Sequence, residues 1–339
     1  MTLLNPKQRL LNVLENKPVD RPPVICPGGM MNSAIVEVMK NTGITLPEAH
    51  QDADLMARLA RVIQQYTGFE NFGLPFCMTV EAEVFGSTID MGTLECEPKI
   101  AKERFPDSGS VVYEDVETLL QQGRIATVAE AASKLASDFP DIPVLASLTG
   151  PVSLAASIVD PIPFLKDLRR NPEAAHRVMD YATRFLIGFV RLLSQHGVSA
   201  ITFGDPTATG EILGPKMFKE YAVPYLHRVV AGAHEAGLPA IVHICGDLSP
   251  VKALLPEIGA DAISTDALIN LRKLKEALPG INTMGNVSTY LLEFGPKEKI
   301  SEVTKRLVKE GIDIISPACG LSTSSPIEHI RAMTEAVRS

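Results

Sequence analysis

"MFKEYAVPYLHRVVAGAHEAGLPAIVHIC", residues 217–245, decides the fold. From 217 to 237 apolar residues recur every three to four positions, and the stretch ends on His234 and Gly237, residue types that close helices. From 239 to 245 (PAIVHIC) the pattern becomes a short continuous apolar run, which is how a strand buried on both faces reads. A helix feeding a buried strand is the repeating unit of a parallel α/β sheet.

The unit recurs in both directions. Strand-like runs occur at 23–27 (PVICP), 70–78 (ENFGLPFCM), 143–149 (PVLASLT), 200–205 (AITFGD), 239–245, 261–267 (DAISTDA), 281–287 (INTMGNV) and 312–319 (IDIISPAC). Amphipathic stretches lie between them, DADLMARLARVIQQYT at 52–67 and PEAAHRVMDYATRFLIGFVRLLSQHG at 172–197 among them. Eight strands with helical crossovers predict an α/β fold of the (β/α)8 TIM-barrel type. A doubly wound open sheet is the rival, but it would carry a glycine-rich phosphate loop, and no GxGxxG or GxxxxGK[ST] is present. PKQRLLNVLEN (6–16) predicts a helix ahead of the barrel, within an N-terminal extension over 1–20. Residues 81–112 break the alternation and read as an insertion after strand two, so 1–339 is expected to be a single barrel domain with these decorations.

The totals narrow the function. The 339 residues carry a net charge of −8 with no basic run, which argues against nucleic acid and anionic membranes as partners. The start of the chain lacks an apolar signal core. The uncharged stretch 142–159 is interrupted by Pro143, Gly150 and Pro151, as in strand, turn and helix rather than a membrane span. Five widely spaced cysteines do not make a disulfide framework. The expected setting is the reducing cytoplasm, where thiols stay free for packing, catalysis or metal.

In a barrel the carboxyl ends of the strands face one mouth, and there this sequence places Cys26, Cys77, Thr149, Asp205, His243 with Cys245, Asp266, Asn286 and Cys319. His243 and Cys245 are two apart on a strand, so both point the same way, about 6–7 Å apart along the backbone. The pair is either packed into the core or half of a metal site, with ligand distances of about 2.0–2.3 Å. Cys319, ending the last strand, supplies a third soft donor. Two thiolates and an imidazole make a zinc site with one open position, the catalytic pattern. Asp266 either fills that position when substrate is absent or caps a turn. Asp205, in "FGDPTATGEILGP", is either an Asp-Pro turn or a carboxylate that holds substrate or a proton. Glu211 is a weaker candidate of the same kind. Gly28, Gly29, Thr149 and Asn286 are the candidate cofactor-facing positions, the glycines giving backbone room at the mouth. Cys26, Cys77 and Cys96 default to buried thiols, and His196 and His234 to helix ends.

Five stretches resemble the uroporphyrinogen decarboxylase superfamily: "KPVDRPPVI" near the start, "GITLPEAH" at 43–50, "LASLTGPVSLAA" at 145–156, "HICGD" at 243–247 and "PACG" at 317–320. The resemblance runs almost end to end. Within it, His-x-Cys followed some seventy residues later by Cys is similar to the zinc signature of the methylcobamide:coenzyme M methyltransferase branch. Decarboxylases of the superfamily carry an arginine-containing stretch after the first strand, whereas this chain reads CPGGMMN at 26–32, which argues against a porphyrinogen substrate.

The resemblance implies a zinc-dependent enzyme that moves a methyl group from methylcob(III)amide, on a corrinoid carrier protein, to a small thiol, coenzyme M above all. The chemistry is coherent. An alkyl thiol is mostly protonated at neutral pH, the thiolate is the nucleophile, and a metal lowers the thiol pKa. Three alternatives stand beside it: a methyltransferase with a non-thiol acceptor such as a reduced folate, a zinc-free decarboxylase, and a non-catalytic corrinoid- or metal-binding protein.

Overall fold

The computed structural model describes residues 3–339. Seven strands form one parallel sheet in the order β1 (Phe72–Leu74), β4 (Val144–Thr149), β5 (Ala200–Gly204), β6 (Ala240–Ile244), β7 (Ala262–Thr265), β8 (Asn282–Val287) and β9 (Ile314–Pro317). From β4 onward every strand residue is buried, as expected where helices cover the outer face.

The expected eighth regular strand, 23–27, is reduced to one parallel bridge between Val24 and Ile315. It still links the two edges of the sheet. On one side Ile25 N–H donates to Ile315 O (3.0 Å) and Ile315 N–H to Pro23 O (2.9 Å). On the other, Glu70 N–H donates to Val24 O (2.9 Å), and the Asn71 amide brackets Cys26, accepting from its N–H (2.9 Å) and donating to its carbonyl (2.8 Å). The result is a TIM-barrel-like ring with one irregular stave. Pro22, Pro23 and Pro27 explain the irregularity, because each removes a donor that a regular ladder would use. The second expected strand is likewise shortened, from 70–78 to Phe72–Leu74, with Pro75 directly after it.

The N-terminal helix, Pro6–Leu14, opens with a capping box between Asn5 and Gln8. It closes the amino-terminal end of the barrel. Buried Arg9 pairs with Asp20 (2.7 Å) and with Glu70 (3.0 Å), just ahead of β1, while the Asn282 amide at the start of β8 donates to Val13 O (3.0 Å). The 81–112 stretch contains the end of helix Val80–Val84 and an antiparallel pair, β2 (Thr88–Asp90) and β3 (Lys99–Lys102). The hairpin tip reaches the carboxyl end of the barrel: Thr323 Oγ1 donates to Glu95 O (2.8 Å) and Asn32 Nδ2 to Glu97 Oε1 (2.8 Å). Among the described residues no helix is long and apolar enough to cross a membrane.

Candidate metal centre

His243 is the fourth residue of β6 and is fully buried. Register places it beside Ser264 of β7, and its Nδ1 lies 2.8 Å from Ser264 Oγ. That contact turns Nε2 toward Cys245, whose Sγ is 3.2 Å away. Cys245 follows the strand by one residue, and Gly246, at φ +73°, turns the chain away directly afterwards. Cys319 arrives two residues after β9, three places along the sheet, and its Sγ is 3.7 Å from that of Cys245. The nitrogen and both sulfurs all lie within 4.8 Å of one another.

The thiols are not a disulfide, since bonded sulfurs lie about 2.05 Å apart. The spacing suits a metal. In a tetrahedral zinc site two sulfurs, each about 2.3 Å from the ion, are about 3.8 Å apart, and sulfur and nitrogen about 3.6 Å. Hydrogen bonds from Cys245 and His243 hold the Cys319 thiol below its ordinary range, against burial. The bond to Cys319 pushes the Cys245 thiol up, with burial and the charges of Cys319 and Asp266 adding to the shift. The two thiols therefore titrate as a pair. A metal ion would hold both as thiolates and release their protons.

The other candidates are placed differently. Asp205 is fully buried next to the centre, with its N–H on His243 O (3.0 Å), and its carboxylate is engaged by a helix start. One oxygen accepts from Val152 N–H (3.0 Å), the other from Ser153 N–H (2.8 Å) and Ser153 Oγ (2.6 Å), at the first turn of helix Pro151–Ile158. Burial pushes its pKa up to about 6 despite these bonds. Asp266 lies outside the compact group of three, and its Oδ1 accepts from Leu268 N–H (3.1 Å) in a turn. Asn286 donates to Asp266 O and Ile269 O, both at 2.8 Å, and so ties down the loop after β7. Thr149 is buried against Glu81, which accepts from its N–H at 2.8 Å. Glu211 is exposed, and its Oε2 would lie 2.7 Å from a Cβ at Gly246.

The expected free space at Gly28 and Gly29 is filled by neighbouring strands. A Cβ on Gly28 (φ +94°) would meet Leu74 N at 2.6 Å, and one on Gly29 would meet Ser147 Oγ at 2.6 Å. Cys26 and Cys77 are buried as expected, whereas Cys96 is exposed on the hairpin tip, where no strand ladder covers it.

Two neighbours of the centre went unread in the sequence. Ser264 sits mid-strand and shows only through register with His243. Glu97 comes from the insertion; burial raises its carboxyl, helped by the nearby Cys319 charge, while Asn32 opposes the shift. A half-buried acid brought by a hairpin leaves no local signal in sequence.

The profile of the uroporphyrinogen decarboxylase (URO-D) family matches residues 5–339. Methylcobamide:CoM methyltransferase MtbA of Methanosarcina acetivorans is 30% identical over 344 residues, covering 100% of this chain and 99% of that protein. Methylcobamide:CoM methyltransferase MtaA of Methanosarcina barkeri is 31% identical over 336 residues, covering 97% and 96%. A solved methyltransferase from Methanosarcina mazei superimposes with a TM-score of 0.93 at 30% identity, covering 99% of this chain and 98% of that one.

Proposed function

The chain belongs to the uroporphyrinogen decarboxylase family, in its methylcobamide:coenzyme M methyltransferase branch, and we propose that it methylates a small thiol, coenzyme M above all, at a zinc ion held by His243, Cys245 and Cys319. It is a methyltransferase, and the methyl donor in this reading is methylcob(III)amide on a corrinoid carrier protein. The observation that carries the zinc assignment is the triangle of one imidazole nitrogen and two sulfurs within 4.8 Å at the carboxyl end of the barrel.

Zinc held by His243, Cys245 and Cys319 would lower the pKa of an incoming thiol and keep it as thiolate. The protein's own residues set the terms. Ser264 fixes the His243 ring so that Nε2 points at Cys245 and Cys319. Cys245 and Cys319 as thiolates with a neutral His243 would balance the charge of a zinc ion, so a thiolate held there would keep its nucleophilicity. In this reading the thiol would lose its proton to solvent and its sulfur would take the methyl carbon from the donor, whose cobalt would keep the bonding electron pair. Asp205 acts as a positioning residue: both its carboxylate oxygens accept from the first turn of helix Pro151–Ile158, while its N–H donates to His243 O.

The test is demethylation of methylcob(III)alamin by the zinc-loaded protein with coenzyme M, followed by corrinoid absorbance. Turnover abolished by chelation supports the reading. Turnover that persists after full metal removal contradicts it.

A further inference from the structure

Helix Pro161–Arg170 presents Lys166, Arg169 and Arg170 at three- and four-residue spacing, all exposed. Like charges at that spacing repel each other and weaken a helix. The helix C-terminus favours Arg169 and Arg170 but does little for Lys166, a turn earlier. Elsewhere helical arginines at this spacing face acids, as in Glu173–Arg177, Asp180–Arg184, Arg272–Glu276 and Arg331–Glu335. Among the described residues Lys166, Arg169 and Arg170 have no such partner, nor does Lys216 on the neighbouring helix Gly210–Met217.

Between the two helices runs a groove of about 610 Å³ that continues into a hollow of about 310 Å³. Leu213 and Met217 form its apolar floor, and the four cations stand along its rim. The acid in the lining, Glu220, faces His176 at 3.8 Å. A chain of net charge −8 thus keeps an unbalanced positive rim around an apolar trough.

The groove adjoins the metal centre. Helix Gly210–Met217 starts where Glu211 meets Gly246, the residue after Cys245. From there the segment bends at Gly214 (φ +67°, ψ 167°), and Leu213 and Met217, on either side of the bend, line the groove.

We propose that this groove docks an acidic, amphipathic helix of the corrinoid carrier protein. The inference rests on the reading that the methyl donor is protein-borne. Charge complementarity selects the occupant: an apolar stripe for the floor and carboxylates for the rim, placed so that the corrin can reach the mouth.

The test compares free methylcob(III)alamin with a methylated corrinoid carrier protein as donor to coenzyme M, and measures carrier binding separately by calorimetry. The double substitution Arg169→Glu/Lys216→Glu should raise the carrier KM and Kd at least tenfold, leave turnover with free methylcob(III)alamin unchanged, and flatten the salt dependence seen in the wild type. Arg169→Gln/Lys216→Gln should fall between. Unchanged carrier KM and Kd in the charge-reversed protein, salt-insensitive wild-type binding, or no carrier that binds or serves while free methylcob(III)alamin does, would overturn the proposal. Salt-dependent carrier binding lost in the variant, without turnover of either donor in the wild type, would sink the methyl-transfer reading and leave the docking groove standing.

Discussion

Ser264 Oγ lies 2.8 Å from His243 Nδ1, one strand away and in register with it. The hydroxyl fixes the ring so that its other nitrogen faces two sulfurs brought by strands at separate places in the sheet. A ligand oriented in this way binds metal more tightly than a free-swinging one. Ser264→Ala is therefore expected to weaken zinc binding about 10- to 100-fold without changing its stoichiometry. Chelator competition measures the affinity, and an unchanged constant would remove Ser264 from the centre.

Loss of a sulfur should be more severe than loss of its support. Cys245→Ser and Cys319→Ser each leave two of the three soft donors. Zinc per chain after dialysis should fall well below one, and coenzyme M methylation by about a thousandfold or more. Full zinc content in both variants would place the metal elsewhere.

Asp205 separates positioning from proton transfer. Replacing it with Asn removes an acceptor from three donors at a buried helix start, at an expected cost of about 2–3 kcal/mol. Zinc content should be unaffected, and turnover per folded molecule should stay within a few-fold of wild type. A thousandfold drop in kcat with unaltered stability would instead assign Asp205 the proton.

The closing stave depends on two backbones in contact. Gly28→Ala adds a Cβ 2.6 Å from Leu74 N at φ +94°, so strain and clash should together cost more than about 3 kcal/mol. Gly43→Ala, in the left-handed helical region at φ +69° with no atom within 4 Å of the added Cβ, carries the conformational cost alone, about 1 kcal/mol. Urea denaturation of the two variants checks the contrast.

The amino-terminal closure should fail in acid. Arg9, through its hydrogen bond above all, holds the Asp20 carboxyl down at about 2 against burial. A carboxyl depressed in the folded state stabilises the fold above its unfolded pKa, near 4, and loses that contribution as pH falls toward 2. The shift corresponds to about 2 kcal/mol. The stability gap between wild type and Asp20→Asn, from urea melts, should be constant from pH 7 to 5 and narrow below pH 4.

The barrel was legible because its periods switch cleanly: stretches such as 217–237 and 239–245 differ in spacing, and β6 forms within the second. The first stave was over-read. PVICP looks apolar enough for a strand, but pattern alone does not count the donors that its flanking prolines lack. His243, Cys245 and Cys319 could be found because soft donors are rare and fall at strand ends. Asp205 and Thr149 fall there too, yet their side chains turn to helix Pro151–Ile158 and to Glu81, an orientation that one sequence does not encode locally. The cations beside the groove escaped notice because Lys216 comes from a different helix, and only folding brings it to Lys166, Arg169 and Arg170.

The most direct test of the central claim is zinc K-edge X-ray absorption of the loaded protein before and after coenzyme M is added. The account predicts two sulfurs at about 2.3 Å and one imidazole nitrogen at about 2.0 Å beforehand, and a third sulfur at about 2.3 Å once the thiol is present. A sulfur count that stays at two under saturating coenzyme M would contradict thiol activation at this centre.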